Sequence, residues 1–157
     1  MTRLLPGLLV AVAVAVPVAG CGGPDRLGAD EYRRQAAPPV EDAADAIVKL
    51  GLAISRAPAP ELAATRLELL RERLENASES LAGLAPPEEI ADTHRDLVRA
   101  LSELAGETER FDEELKVELD EYEQLTTFPQ ELAGTLSARQ ITDALRKLES
   151  EGYDLLG

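Results

Sequence analysis

The chain has 157 residues, the size of one domain. It carries 16 Lys and Arg against 30 Asp and Glu, a formal charge of −14, which repels a phosphate backbone and argues against nucleic-acid binding. With no Trp, two Phe and three Tyr it has little material for stacking platforms or aromatic ligand cages, and one His and one Cys exclude the common His/Cys metal centres and catalytic dyads.

The N-terminus is the most informative stretch. Met1-Thr2-Arg3 makes a short basic start, residues 4–18 are apolar without a charge, and Val18-Ala19-Gly20-Cys21 closes the run. A basic start, an apolar stretch and small residues before a cleavage point are the parts of a secretory signal. Val18-Ala19-Gly20-Cys21 resembles a bacterial lipobox. The resemblance implies cleavage between Gly20 and Cys21 and a diacylglyceryl group (palmitate or similar chains) on the Cys21 thiol, and leaves the new amine either free or acylated. Two or more chains hold a protein to a bilayer where one chain is marginal. The alternatives are an uncleaved signal anchor, since the run sits at the short limit for spanning, or an ordinary signal peptide with an incidental Cys. Cleavage removes Arg3 and no acid, leaving 15 bases, 30 acids and a net charge of −15. Such a chain is too acidic to lie on an anionic leaflet by electrostatics.

Gly22-Gly23-Pro24 opens a stretch with the composition of a tether. Residues 29–37 have room for two helical turns before Pro38-Pro39, where a helix is expected to stop. The expected division is a signal peptide over 1–20, a lipidated Cys and flexible tether over 21–38, and a helical domain over 39–157. Seventeen flexible residues would hold that domain about 20–25 Å off the bilayer.

From Val40 the pattern is helical. Ala43, Ile47, Leu50 and Ile54 form one apolar stripe, ended by Ala57-Pro58-Ala59-Pro60. A second helix spans about 61–82 with Leu62, Leu70, Leu74, Ala77 and Leu81 inward, closed by Gly83 and Pro86-Pro87. The third has the clearest period: Ile90, His94, Leu97, Leu101, Leu104, Thr108, Phe111 and Leu115, shifting to Leu119 and Tyr122, with Gly106 marking a kink point. Thr126-Thr127-Phe128-Pro129 is a break. The last helix is expected to start from a capping box of Ser137 and Gln140, to bury Ile141, Ala144, Leu145 and Leu148, and to stop at Gly152 with Tyr153 folded back. Four one-sided helices joined by short turns predict an all-α antiparallel bundle.

The stretch Leu81-Ala82-Gly83-Leu84-Ala85-Pro86-Pro87-Glu88-Glu89-Ile90, then His94, Leu97, Val98, Ala100 and Leu101, together with Glu151-Gly152-Tyr153, resembles small secreted helical proteins and lipoproteins of high-GC actinobacteria. The Ala, Leu and Arg bias, with three Lys, is similar too. The resemblance covers the signal and about a third of the remaining chain. It implies a bundle and a surface address, and brings no chemistry.

Candidate chemistry is sparse. His94 could form a metal or proton site with Asp92, Asp96 or an acid from another helix, but position 91 is Ala, so the Glu-x-x-His of a di-metal bundle is missing; the simpler expectation is a His at the bundle mouth with its tip in water. Residues 107–123 hold nine acids (Glu107, Glu109, Asp112, Glu113, Glu114, Glu118, Asp120, Glu121 and Glu123) against Arg110 and Lys116. They suit a basic partner or, more simply, a solvated face relieved by i,i+4 pairs such as Arg110–Glu114. Asn76-Ala77-Ser78 is a sequon by letters alone. Tyr32-Arg33-Arg34 is a basic spot near the anchor that could meet headgroups. No nucleophile elbow or phosphate loop occurs.

The sequence therefore reads as a lipid-anchored extracytoplasmic protein, non-enzymatic and without cofactor, catalytic or metal residues. It would be held at the membrane through Cys21 and act by contact with an envelope protein. The alternative is an envelope binding protein for a small ligand or cation. In a bacterial host the full chain should incorporate labelled palmitate and fractionate with membranes, and Cys21→Ala should abolish both. Label that survives the substitution would place the lipid elsewhere.

Overall fold

The computed structural model describes residues 26–117 and 125–157. The expectations for the signal peptide, for Gly20 and Cys21, and for Leu119 and Tyr122 fall outside the described residues. Among the described residues five helices form an antiparallel bundle: α1 (Ala29–Ser55), α2 (Pro60–Ala82), α3 (Ala91–Val117), α4 (Phe128–Gly134) and α5 (Leu136–Ser150). A 3-10 turn at Glu88–Ile90 leads into α3. Among the described residues there is no strand.

The helices α1, α2, α3 and α5 run alternately up and down, α2 packing on α1 and α3, and α3 on α5; the short α4 bridges α1 and α5. One end of the bundle gathers the start of α1, the α2–α3 turn and the C-terminal tail. The other gathers the α1–α2 turn, the end of α3 and α4. The core between them is almost entirely Ala and Leu, with Leu67, Leu70, Leu74, Leu81, Leu97, Leu101, Leu104 and Leu148 buried. Each of these side chains contributes about 1.5–3 kcal/mol on leaving water. Alanines at 36, 43, 46, 63, 77, 100 and 144 are buried between them and keep the helices close.

Local signals explain most boundaries. Asp30 and Glu31 lie in the first turn of α1, where the helix dipole favours acids, and Pro60 occupies the first turn of α2, where its missing N–H costs nothing. At the end of α5, Gly152 adopts φ +90°. Its N–H donates to the Glu149 carbonyl at 2.9 Å, and the Tyr153 N–H to Leu148 at 2.8 Å. This pair of bonds is a Schellman stop, as the expected Gly152 and folded-back Tyr153 require.

Four expectations are corrected. The helix does not stop at Pro38-Pro39: α1 runs through both for 27 residues, with Tyr32 and Ala36 buried before them and Val40 and Ala43 after. Residues 29–38 thus belong to the bundle, not to the tether. Proline cannot supply the N–H that would bond Arg34 or Gln35, and each such loss costs about 3 kcal/mol in a helix interior. Burial on both sides of the pair offsets that cost. At α5 the cap is Thr135, whose hydroxyl accepts from the Ala138 N–H at 3.2 Å, rather than Ser137, which is buried inside the helix. Residues 128–134 form a helix of their own beyond the 126–127 break. Finally, Leu62 faces solvent, and Ala63 and Leu67 take the inward places at the start of α2.

The helix α3 continues through Gly106, which is exposed, and a Cβ there would meet nothing within 4 Å. In urea titrations Gly106→Ala should therefore gain up to about 1 kcal/mol, whereas Leu104→Ala, two residues earlier and fully buried, should lose about 2–5 kcal/mol.

Candidate functional site

The described polar side chains that meet from the greatest number of elements lie at the end where α1 begins, three of them buried and one, Glu89, exposed. Tyr32 comes from the first turn of α1, His94 from the first turn of α3, Glu89 from the 3-10 turn, and Tyr153 from the tail behind α5. The Tyr32 hydroxyl lies 2.9 Å from His94 Nδ1, and both residues are buried. The Tyr32 ring meets the His94 ring edge-on at 5.6 Å and the Tyr153 ring at 5.7 Å. Tyr153 in turn donates its hydroxyl to Glu89 Oε1 at 2.7 Å, where the carboxylate reaches solvent.

Protonation follows from the surroundings. Burial pushes the Tyr32 phenol up to about 12, helped by Tyr153 beside it. The Glu89 bond, with burial, does the same for Tyr153, also to about 12, and the same bond draws Glu89 below the ordinary carboxylate value. Burial lowers His94 below 6.5 and Arg95 adds to this, while a hydrogen bond to the Leu81 backbone works the other way. A neutral imidazole with one nitrogen donating to the Leu81 carbonyl leaves the other as an acceptor. The consistent assignment is Tyr32 O–H donating to Nδ1, with Nε2–H turned to Leu81.

Several sequence candidates are placed differently from expectation. His94 is not at a wet mouth; it is 5% exposed and capped by Tyr32. Asp92 and Asp96 stand on the solvent side of α3, paired with Arg95 at 3.1 Å and Arg99 at 2.6 Å, so neither serves His94. Arg33 and Arg34 pair with Asp30 and Glu31, which cancels the basic spot. In the acidic stretch, Arg110 turns back to Glu107 at 3.8 Å instead of forward to Glu114. Glu107 is drawn inward by the Ser137 hydroxyl at 2.6 Å and ties α3 to the start of α5. The sequon hydroxyl of Ser78 is buried and donates to the Val98 carbonyl at 3.1 Å. Tyr32 was the partner sequence reasoning missed: it lies 62 residues from His94, beyond any local spacing rule.

Among the described residues no three His, Cys, Asp or Glu side chains are grouped to hold a metal ion, and no helix is long and apolar enough to cross a membrane. The chain matches no protein-family model, no curated protein and no solved structure.

The His94 value sets a direction for acid stability. Between its native value and 6.5 the unfolded chain binds a proton that the folded chain does not, so stability is complete above about pH 6.5 and falls as pH drops below it. Chemical denaturation across pH 5–8 should show this slope, and His94→Gln should flatten it. Tyr32→Phe keeps the ring but strands Nδ1, and should cost about 1–3 kcal/mol at pH 7.5. Tyr153→Phe, whose partner is solvated, should cost less.

Proposed function

We propose that the protein is a lipid-anchored module on the extracytoplasmic face of the membrane that acts by binding another envelope protein and performs no chemistry of its own. The observation that carries this is Val18-Ala19-Gly20-Cys21 at the end of an uninterrupted apolar run, with the sole thiol of the chain at its last position. The structure supports the reading through its entry geometry. The Leu27 N–H donates to the Ala85 carbonyl at 2.8 Å, so the chain is tied to the bundle six residues after Cys21. Six residues reach about 20 Å at full extension. The module would then sit closer to the bilayer than a tether over 21–38 would hold it, with the start of α1, the α2–α3 turn and the C-terminal tail on the membrane side.

The opposite end is then the one presented outward. It carries the acidic part of α3, and Leu136 is 68% exposed there at the start of α5. Along α1, Val48 and Leu52 stand one turn apart and exposed. Side chains of this kind contribute to a protein contact when covered. Crosslinking with mass spectrometry on intact cells tests the proposal, with Cys21→Ala as the unanchored control. It predicts one envelope protein captured in near-stoichiometric amount and lost in the control. An acylated chain that captures nothing above background refutes the interaction role. A chain without an acyl mass refutes the anchor.

A further inference from the structure

We infer that residues 29–37 of α1 form a separately releasable segment, hinged at Pro38-Pro39 and latched by the Tyr32–His94 contact, so that a proton on His94 frees the segment while the remaining helices stay packed. Two independent features of the fold meet here. The first is the hinge. Pro38 and Pro39 lie inside α1, and neither has an N–H for the carbonyls of Arg34 and Gln35. The first turns are joined to the rest of the helix by a weakened stretch of backbone bonding.

The second is how little else holds the segment. Its ion pairs, Arg33–Asp30 and Arg34–Glu31, and the Gln35–Glu31 hydrogen bond are all internal to it. Among the described residues, its one side-chain hydrogen bond to the rest of the bundle is Tyr32 to His94. Apolar docking comes from Tyr32, Ala36 and the partly buried Ala37, and just ahead of the segment the Leu27 N–H bonds to Ala85. Tyr32 and Ala36 join the same core cluster as the leucines of α2, α3 and α5, but every one of those leucines lies beyond the hinge.

A proton on Nδ1 turns the acceptor of the latch into a donor. The Tyr32 hydroxyl then loses its acceptor, and a cation is left in a buried site. Tyr32 from α1, the Leu81 carbonyl from α2 and Arg95 from α3 act on the imidazole, and none of them is an anion that would neutralise that cation. Behind Tyr32 the tail brings Tyr153, which engages Glu89 of the 3-10 turn and has Arg33 and Glu151 acting on it. Undocking the first turns opens His94 to water and removes the conflict. If the lipid anchor of the proposed function holds, release that also opens the Leu27–Ala85 bond lengthens the link. The chain from Cys21 to Pro38 reaches about 55–60 Å when extended, against about 20 Å with the segment docked. That consequence, though not the latch itself, rests on the anchor reading.

Hydrogen exchange on the full chain, resolved to peptides covering 29–37 and corrected for intrinsic rates, tests the latch. Between pH 7.5 and pH 5.5 the opening constant of 29–37 should rise, by no more than about tenfold for a single imidazole, with the protection of α2 and α3 changing much less. His94→Gln should remove the pH step. Tyr32→Phe, which keeps the ring, should raise opening at pH 7.5, and Pro38→Ala with Pro39→Ala should suppress it. If 29–37 exchanges in step with α2 and α3 at both pH values, the segment is not separable and the inference fails. A pH step that survives in His94→Gln overturns the role of His94. Repeating the measurement on Cys21→Ala shows that the result does not depend on acylation, so loss of the anchor and loss of the latch are read separately.

Discussion

The Tyr32–His94 hydrogen bond joins side chains 62 residues apart, and the closed end of the bundle depends on it. A phenol and an imidazole buried in an Ala and Leu core must satisfy one another or carry the cost of lost hydration. Because they do, the first turn of α1 can lie against the first turn of α3, and Tyr153 can pack edge-on against Tyr32 with its hydroxyl directed outward to Glu89. Chain entry, the α2–α3 turn and the tail are held together by this one cluster. Burial in the same cluster disfavours the charged form of His94, so acid acts against this end of the fold.

The passage of α1 through two prolines belongs to the same constraint. Local preference argues for a stop, since each proline removes a helical bond and crowds the carbonyl four residues earlier. What keeps the first turns helical is the burial of Tyr32 and Ala36 on the bundle, ahead of Val40 and Ala43 in the same stripe. Tertiary burial outweighs local bonding here, and the weakened bonding remains as a hinge.

The four aromatic residues among the described ones sit at the two ends. Tyr32 and Tyr153 pack with His94 at one, and Phe111 and Phe128 meet edge-on at 5.3 Å at the other. Between them the small alanine stripes allow close helix approach, and the interior is filled by leucine. Most of the described ion pairs are local to one helix, at spacings of three or four residues, while Arg73–Asp42 at 3.1 Å links α2 to α1. Exposed pairs of this kind contribute little individually. Burial and the handful of inward polar bonds, Ser78 to Val98 and Ser137 to Glu107 among them, define the register of the helices.

By itself the sequence determined the all-α class, the α2 span, most of the inward stripe from Ile90 to Thr108 and the glycine stop after α5. These follow from apolar periodicity and from backbone chemistry that acts within one or two turns. It also carried the lipobox resemblance at Cys21, on which the proposed anchor rests. Only the tertiary structure decided that 29–38 is helix, that Thr135 rather than Ser137 caps α5, and that His94 bonds to Tyr32 rather than to Asp92 or Asp96. Each of these depends on which distant surface covers a side chain. Spacing along one helix places His94 on the inner face, but the residue that meets it there is set by how α1 docks across the bundle.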